Sequence, residues 1–369
     1  MKAVRTGVIG CGAISPIYLQ NGSVFEDYTI AACADKDLDR AKARAKEFGV
    51  PRVCSVDEIL ADPEIELILN LTTPEVHGSI GRRAVEAGKS VYNEKPLAAT
   101  REEARNLLDL AGAKGLLVGA APDTFLGGGL QTCRKLVDEG AIGEPVAATA
   151  FMFCPGHESW HPDPAFYYQA GGGPLFDMGP YYLTALVSLL GPVEQVTGSA
   201  RITFAERTIT SKPRAGARIR VETPTHIAGC LEFVNGAVAT MTMSFDVWAH
   251  HLPRLELHGS EGSLSLPDPN TFGGPVSLWR KDNPEWTQIA LSHGYADNMR
   301  GLGVADMAAA IRKGRPHRAN GRMAYHVLDA MHAILDASRL GRHVQLVSAC
   351  ERPAPLSEEL PAGRVELEV

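Results

Sequence analysis

Lys95, Asp177 and Tyr181 carry the side chains of this sequence best suited to move a proton. Lys95 ends an apolar run and is followed by Pro96, which predicts a position at the C-terminal end of a buried parallel strand, where open α/β sheets bind their ligands. Burial there should lower the pKa of the amine, so that Lys95 can donate a proton to a substrate oxygen or accept one near neutral pH. An ordinary surface lysine would not need such a location.

Asp177 lies four residues before Tyr181, so on one helix both side chains would face the same pocket. A tyrosine hydroxyl can act as general acid or base when a nearby cation stabilises its phenolate, and Lys95 is the expected cation. Two plainer interpretations stay open. Tyr181 could be an apolar packing residue beside Tyr182, and Asp177 could cap a helix that starts near Gly173.

A glycine-rich turn separates the first β-rich run from a helical pattern and reads GCGAIS from Gly10 to Ser15. Gly10 permits the tight turn, Gly12 lets the backbone approach a pyrophosphate, and the small Ser15 lets the helix pack closely on the strand. A sequence with 37 glycines contains such strings by chance, so the position between strand and helix is what matters. We therefore predict a dinucleotide-binding turn with contacts from Gly10, Gly12, Ala13 and Ile14.

Asp35 indicates which dinucleotide this turn would bind. It ends the second β-rich run, 25 residues after Gly10. A carboxylate at this point accepts hydrogen bonds from the adenosine ribose 2′-hydroxyl and repels a 2′-phosphate, which predicts NAD rather than NADP. Two alternatives remain: Lys36 could pair with a 2′-phosphate, and Asp35 could be a simple turn residue.

A second motif would predict a different class of enzyme. Residues 157–161 read HESWH and match HExxH, which on a helix places two zinc-ligating histidines one turn apart beside the general base of a metallopeptidase. Pro155 precedes the motif and Pro162 follows it directly, so we expect no helix and no zinc site. Trp160 and His161 are interpreted instead as part of a loop over a substrate mouth, with an ordinary surface loop as the alternative.

The other potential metal ligands are scattered. The seven cysteines form no CxxC pair and are odd in number, which favours reduced, mostly buried thiols. His251 and His326 have no partner that spacing assigns, so structural roles are expected. The N-terminal apolar run breaks into glycines at once, unlike a signal peptide, and we predict a cytoplasmic protein without a metal site.

The elements that must position these residues follow two different sequence patterns, one in each part of the chain. Short β-rich runs alternate with amphipathic helical patterns from Val4 to about Ala120, as in the βαβ units of a parallel sheet. After about Pro122 the runs are longer and are joined by tight turns such as Asn235-Gly236. We predict an α/β protein: a Rossmann domain with a doubly wound parallel sheet in residues 1–122, and an α/β domain with a large, mainly antiparallel open sheet in residues 123–369. The strands of the first sheet are expected to begin at Val4, Tyr28, Glu66, Ser90 and Gly115, and helices are expected at Leu38 to Phe48, 298–313 and 321–340.

The composition excludes several classes of protein. The 369 residues are 45% hydrophobic and 21% charged, which is typical of a folded chain of about two domains. The net charge of −7 provides no positive field for nucleic acid, and no basic run with interleaved aromatics appears. A membrane span is not expected, because no stretch of 18 apolar residues occurs.

Several motifs together resemble the Gfo/Idh/MocA oxidoreductase family, named for glucose-fructose oxidoreductase and inositol dehydrogenase. The resemblance covers nearly the whole chain. Its segments are Asn70-Leu71-Thr72-Thr73-Pro74 with His77, Glu94-Lys95-Pro96, Gly140-Ala141-Ile142-Gly143-Glu144 and residues 171–181. The last segment, GGGPLFDMGPY, is similar to the family's GGGxxxDxGxH, with Tyr181 where histidine is commonest. In the branches of the family that oxidise sugars or diols, the corresponding segment looks like DxGxY.

The resemblance implies hydride transfer between a nicotinamide cofactor and a sugar, polyol or inositol-like substrate. A positive nicotinamide ring would lower the pKa of Lys95 further. The implied protein is an NAD-dependent dehydrogenase, a homodimer or homotetramer whose open sheet mediates assembly, without a nucleic-acid or membrane partner. The alternative from another class is a dinucleotide-sensing regulator without turnover, which we expect to lack the lysine or the aspartate. The implied cofactor contacts also include Thr72, Thr73, Pro74, His77, Glu94 and Lys95, and the implied substrate contacts are Lys95, Trp160, His161, Asp177 and Tyr181.

Overall fold

The computed structural model describes residues 2–367, and two large sheets organise that part of the chain. The strands of the first sheet are β1 (Val4–Ile9), β2 (Tyr28–Ala34), β3 (Leu67–Asn70), β4 (Ser90–Asn93) and β5 (Val118–Ala120). The helices between them are α1 (Ser15–Asn21), α2 (Leu38–Phe48), α3 (Val56–Ala61), α4 (Pro74–Glu86) and α5 (Arg101–Ala113). The strand order is β2-β1-β3-β4-β5 and every pairing is parallel, which confirms the predicted Rossmann sheet. The strands are buried almost throughout, as expected for a sheet with helices on both faces.

Local chemistry sets the helix ends that position the strands. The Asp37 side chain accepts a hydrogen bond from the backbone N–H of Arg40 and starts α2, which ends at Gly49 with a φ of 70°. Ser55 and Glu58 form a reciprocal capping box at the start of α3. These short-range signals explain why α2 has the bounds predicted from sequence.

The second sheet has ten strands and is antiparallel except where β6 pairs with β12. Its strands are β6 (Pro145–Phe153), β7 (Val193–Val196), β8 (Ser199–Arg201), β11 (His226–Phe233), β12 (Val238–Ser244), β13 (Leu255–Gly259), β14 (Gly262–Ser265), β15 (Val276–Arg280), β16 (Asn283–Ile289) and β17 (Val344–Gln345). A separate pair consists of β9 (Glu206–Thr208) and β10 (Arg218–Arg220). The predicted turn at Asn235-Gly236 joins β11 to β12, and Gly236 has the positive φ of 90° that such a turn requires.

The α-helices of the second half, as far as the structure describes it, are α6 (Gly128–Asp138), α7 (Gly173–Leu190), α8 (Leu302–Lys313) and α9 (Gly321–Leu340). Helix α7 packs on the second sheet, α8 returns to the first one, and α9 packs between strands of both sheets. The backbone N–H of Ala120 donates to the Ala319 carbonyl at 3.1 Å, and Arg101 binds Asp329 and Asp336, each at 2.6 Å. The strands of the two sheets thus lie in separate parts of the chain, whereas the C-terminal helices contact both sheets, and a domain boundary at residue 122 stays a prediction. Within residues 2–367, no helix has both the length and the apolar character needed to cross a membrane.

Candidate active site

The glycine-rich turn leaves β1 and leads into α1. Gly10 has a φ of 102°, and a Cβ atom there would lie 2.6 Å from the carbonyl oxygen of Leu71. Ser15 is fully buried, and its hydroxyl donates to the Gly12 carbonyl at 2.8 Å. A Cβ atom at Gly12 would meet no heavy atom within 4 Å, so the main chain there borders open space that a pyrophosphate could enter. The other two predicted contacts lie at the exposed tip of the turn, Ala13, and just before α1, Ile14.

Asp35 follows β2 and anchors this turn. Its Oδ2 accepts a hydrogen bond from the backbone N–H of Cys11 at 2.7 Å, and its Oδ1 accepts one from Asp37 at 2.8 Å. Arg40 Nη1 lies 3.7 Å from Oδ1, and the Asp35 side chain is only 6% exposed. The carboxylate thus fixes the conformation of the glycine turn and has a cation beside it, which the sequence analysis did not anticipate.

A second loop next to the glycine turn contains Thr72, Thr73 and Pro74 and joins β3 to α4. Thr73 is the N-cap residue of α4 and Pro74 is its first residue. His77 is fully buried, and its ring nitrogens lie 2.7 Å from the Pro96 carbonyl oxygen and 3.0 Å from that of Thr72. Burial lowers the pKa of His77, although the two carbonyl groups act in the opposite direction. His77 therefore ties the Thr72 loop to the loop after β4, and both of its nitrogens face protein carbonyls.

Lys95 and Asp177 bring the two halves of the chain together. Lys95 Nζ lies 2.9 Å from Asp177 Oδ1 and 2.6 Å from the backbone carbonyl oxygen of the same residue. Lys95 follows the C-terminal end of β4, at the edge where the sequence predicted a ligand site. Glu94 beside it is buried and accepts hydrogen bonds from the Tyr18 hydroxyl at 2.9 Å and from the backbone N–H of Lys95 at 2.8 Å.

Asp177 and Tyr181 both lie on helix α7, and both side chains are next to Lys95 Nζ. Gly172 is the N-cap residue of this helix, so Asp177 lies inside it and does not cap it. Tyr181 is 7% exposed, and its ring centroid lies 5.3 Å from Lys95 Nζ. Its hydroxyl lies 3.5 Å from Arg300 Nη2, so the phenol has a polar neighbour in addition to its packing contacts.

Within this cluster, neighbouring charges shift the pKa values in the direction opposite to the effect of burial. Burial alone would lower the pKa of Lys95, but the Asp177 carboxylate, with Tyr181 and Glu94, raises it above its usual value. Burial would raise the pKa of Asp177, yet the Lys95 ammonium holds it well below its usual range. Burial raises the pKa of Tyr181, and Lys95 and Arg300 offset only part of this effect. At neutral pH the cluster is an ammonium, a carboxylate and a protonated phenol, so the predicted lowering of the Lys95 pKa does not occur among the protein's own groups.

An open cleft of about 610 Å³ lies against the Lys95–Asp177 pair and receives residues from both halves of the chain. Phe166 and Tyr167 line one side, and burial raises the pKa of Tyr167 to about 12. Trp160 is 60% exposed and packs on His161, whose ring lies 5.3 Å from that of Phe166. Trp160 and His161 thus lie behind the aromatic side of the cleft and do not line it.

The HESWH segment is a turn rather than a helix, as its flanking prolines predict. Glu158 accepts hydrogen bonds from Arg207 at 2.8 Å and from the Tyr168 hydroxyl at 2.7 Å. His161 Nδ1 accepts one from the backbone N–H of Asp163 at 3.1 Å. Within residues 2–367, no three side chains of His, Cys, Asp and Glu are arranged to hold a metal ion. Glu158, which the motif would use as the general base, is therefore already paired with Arg207.

Three groups near the Lys95–Asp177 pair were not predicted from the sequence: Arg300, Tyr167 and the ring of His157. His157 Nε2 lies 3.7 Å from Asp177 Oδ2. No motif surrounds Arg300, which follows Tyr181 by 119 residues, so no sequence signal points to it. The HExxH pattern does single out His157, but for metal chemistry.

Two family models match the chain. A model described as "Oxidoreductase family, NAD-binding Rossmann fold" matches residues 4–121. A model described as "GFO/IDH/MocA C-terminal domain" matches residues 130–265. Together they include every residue of the Lys95, Asp177 and Tyr181 cluster.

Individual proteins give the same result. An uncharacterized oxidoreductase of Rhizobium meliloti is 32% identical over 73% of this chain and 76% of its own length. A dTDP-3,4-didehydro-2,6-dideoxy-alpha-D-glucose 3-reductase of Streptomyces violaceoruber is 29% identical over 96% of this chain and 97% of its own. A shorter match, to an uncharacterized oxidoreductase of Schizosaccharomyces pombe, is 31% identical and spans 53% of this chain and 55% of that protein.

The fold also matches solved structures. A levoglucosan dehydrogenase in complex with NADH and L-sorbose superposes with a TM-score of 0.80 at 21% identity, over 94% of this chain and 100% of that chain. At this identity the likeness concerns the fold. Taken with the two family models and the relative that is 32% identical, it establishes that this chain belongs to the Gfo/Idh/MocA family of oxidoreductases.

Proposed function

We propose that this protein transfers a hydride between a nicotinamide dinucleotide, NAD in preference to NADP, and a secondary alcohol carbon of a sugar, polyol or inositol-like molecule. The observation that carries the proposal is the ion pair between Lys95 Nζ and Asp177 Oδ1, 2.9 Å long, at an open cleft and beside a buried tyrosine. A bound nicotinamide supplies the carbon that accepts or donates the hydride.

The remaining chemistry belongs to side chains of this chain. Lys95 donates a hydrogen bond from Nζ to the reacting oxygen of the substrate and stabilises negative charge on it. Asp177 keeps that ammonium charged and oriented through Oδ1. Tyr181 holds a proton on its phenolic oxygen, which it donates in carbonyl reduction and takes back in alcohol oxidation. Arg300, 3.5 Å from the same hydroxyl, stabilises the phenolate that forms between these steps.

The glycine turn and its anchor support the dinucleotide part of the proposal. The main chain at Gly12 borders open space, and Asp35 fixes the turn through the N–H of Cys11. A carboxylate at the end of the second strand favours a free ribose 2′-hydroxyl over a 2′-phosphate. In this proposal Thr72, Thr73 and Pro74 contact the cofactor from the neighbouring loop, and His77 and Glu94 hold the loops in place.

The substrate class is supported by the cleft and by the relatives. The rings of Phe166 and Tyr167, which line one side of the cleft, suit the apolar face of a sugar ring. Relatives named for sugar substrates include a 1,5-anhydro-D-fructose reductase of Ensifer adhaerens, 27% identical over 70% of this chain, and the Streptomyces violaceoruber reductase described above. The alternative of a dinucleotide-sensing regulator is disfavoured, because Lys95 and Asp177 are both present and paired.

We also propose a homodimer or homotetramer formed through the outer face of the second sheet. On β12, Ala239, Met241 and Met243 are buried, whereas Val238 is 45% exposed and Thr240 is exposed. A broad sheet face with alternate residues open to solvent is suited to pairing with a second copy. Light scattering should give a mass of two or four chains, and Thr240→Arg should reduce it to one.

A substrate screen tests the reaction directly. Purified protein with NAD or NADP and a panel of sugars, polyols and inositols should change absorbance at the NADH band with one group of related compounds. Lys95→Met should lower turnover by about 10²-fold to 10⁴-fold while NAD still binds. Lys114→Met, at an exposed lysine on the C-cap of α5, is the matched control and should leave turnover unchanged. Dinucleotide binding without turnover of any compound would favour the regulator.

A further inference from the structure

His157 is a buried side chain of the active-site region without a hydrogen-bond partner for its ring. The residue is 9% exposed, and Nδ1 and Nε2 each expose less than 1 Å² and make no hydrogen bond within the described residues. A buried polar atom without a partner is costly, and in a native protein such a group calls for a specific explanation, for example a catalytic role. The position of His157 therefore needs an explanation beyond packing.

The ring is held firmly in one orientation. Its centroid lies 4.1 Å from that of Tyr167, 4.5 Å from that of Phe245 and 5.2 Å from that of Trp160. The backbone N–H of His157 donates to the Tyr168 hydroxyl at 3.2 Å. That hydroxyl in turn donates to Glu158, the partner of Arg207. Ring packing and this hydrogen-bond network, which lies outside the cluster of Lys95, Asp177 and Tyr181, thus fix the orientation of the imidazole.

The fixed ring faces the unoccupied oxygen of Asp177. Nε2 lies 3.7 Å from Oδ2, whereas Oδ1 is already bound to Lys95 at 2.9 Å. A charge-assisted hydrogen bond is roughly 2.8 Å long, so a shift of about 0.9 Å would close the contact. A substrate cannot reach Nε2 directly, because less than 1 Å² of that atom is exposed. Any effect of the ring on the reaction must therefore pass through Asp177.

We propose that His157 is a positioning residue for the reaction, whose Nε2–H donates to Asp177 Oδ2 when a substrate engages Lys95. The carboxylate is then held on both oxygens, and the Lys95 ammonium stays aimed at the reacting oxygen. The proposal rests on the proposed roles of Lys95 and Asp177. It also gives the first histidine of HESWH a function that needs no metal.

Nitrogen-resolved NMR of the imidazole tests the contact without any turnover. In ¹⁵N-labelled protein the His157 signals are those lost in His157→Gln. Asp177→Asn should shift the Nε2 signal of His157, because the ring then faces an amide instead of a carboxylate. Asp163→Asn, beside His161 in the same loop, should leave the His157 signal in place. An Nε2 signal that ignores Asp177→Asn would overturn the proposed contact.

Kinetics test the consequence. His157→Phe keeps the ring packing and removes both nitrogens, so kcat should fall roughly tenfold, as for other contacting pairs, with NAD affinity and the unfolding temperature unchanged. His157→Gln places an amide nitrogen near the position of Nε2 and should restore part of the loss. The double variant His157→Phe/Asp177→Asn should be little slower than Asp177→Asn alone.

Failure of this inference and failure of the proposed function would give different results. Full multiplication of the two single effects, or a lower unfolding temperature with normal kcat, would reduce His157 to a packing residue. Absence of turnover with every substrate would remove the proposed function, while the NMR shift would still report the His157–Asp177 contact.

Discussion

Arg300 Nη2 lies 3.5 Å from the hydroxyl of Tyr181, although the two residues are 119 positions apart in the chain. Asn270 and Asn298 hold the guanidinium through side-chain oxygens at 2.7 Å and 2.8 Å. Burial raises the pKa of Tyr181, and the two nearby cations, Lys95 and Arg300, oppose that rise. The phenol therefore keeps its proton at neutral pH but has positive groups to stabilise the phenolate when the proton leaves.

Tyr181→Phe should expose this role. Removal of the hydroxyl is expected to lower kcat by roughly 10²-fold to 10⁴-fold with NAD affinity unchanged, since general acid–base catalysis contributes about that much. Tyr182→Phe is the matched control, because its hydroxyl donates to the Phe151 carbonyl at 3.3 Å and lies outside the cluster. Steady-state kinetics of both variants checks the prediction. Near-normal turnover of Tyr181→Phe would assign proton transfer to Lys95 instead.

Arg40 offers a cleaner test of cofactor choice than Asp35. Asp35→Ala would release the N–H groups of Cys11 and Asp37 and so weaken NAD and NADP together. Arg40→Ala removes the cation 3.7 Å from Asp35 without touching the turn. We expect the unmodified protein to bind NAD more tightly than NADP, and Arg40→Ala to weaken NADP roughly tenfold further, the loss expected for one charge-assisted bond.

Calorimetric titration of both dinucleotides measures this difference. Lys42→Ala is the control, because Lys42 lies on the same helix and pairs at the surface with Asp39 at 3.4 Å. Equal affinities of the unmodified protein for NAD and NADP would remove the assignment of Asp35 as the selective group.

Features set by neighbouring residues could be predicted from the sequence. Helix α2 has its predicted bounds, because Asp37 and Gly49 act within a few residues of its ends. The turn at Asn235-Gly236 is equally local. Strand β5 was expected from Gly115 but begins at Val118, because Gly115 adopts a φ of 65° and still belongs to the turn after α5.

Features set by distant residues could not be predicted in the same way. The pKa of Lys95 depends on a carboxylate that lies 82 positions later, and burial taken alone gives the wrong direction. Arg300 reaches Tyr181 from a segment held against α1, where the Asn21 side chain donates to the carbonyls of Asn298 and Arg300. The HExxH pattern is local, but the role of Glu158 depends on its hydrogen bond with Arg207, which lies 49 positions later in the chain.

Glu158 should matter for stability rather than as a metallopeptidase base. The pair that it forms with Arg207 is largely buried, with side chains 12% and 8% exposed. Glu158→Gln should lower the free energy of unfolding by about 2 kcal/mol, typical of a hydrogen bond to a charged group, because Arg207 keeps a second carboxylate partner in Asp246. Glu206→Gln breaks an exposed pair with Arg218 and should cost less than about 1 kcal/mol. Urea unfolding of both variants measures the difference.

The same motif gives a metal prediction. Turnover should survive dialysis against a strong chelator, because His161 and Glu158 are engaged by protein groups. Metal analysis of the purified protein checks this. One zinc per chain that is lost in His157→Gln and His161→Gln, together with loss of turnover, would contradict the prediction.

His317 should make the stability of the protein depend on pH. The residue is 5% exposed, and its Nε2 lies 3.1 Å from the Val118 carbonyl oxygen. Burial lowers the pKa of His317 to about 4, although Asp306 acts in the opposite direction. In the unfolded chain the pKa is about 6.5. Between these two values the unfolded state binds the proton more readily than the folded state, so acid favours unfolding.

The contribution of His317 is therefore fully present above pH 6.5 and is lost as the pH falls towards 4. Each pKa unit corresponds to about 1.4 kcal/mol, so the loss is at most about 3.5 kcal/mol. Urea unfolding at pH 7 and pH 4.5 should show a steep fall for the unmodified protein and a smaller one for His317→Gln, which has no group to titrate. His251→Gln, at an exposed histidine, should keep the full slope. If His317→Gln loses as much stability as the unmodified protein over this range, the acid sensitivity belongs to the other histidines whose pKa burial also lowers: His77, His293, His326 and His332.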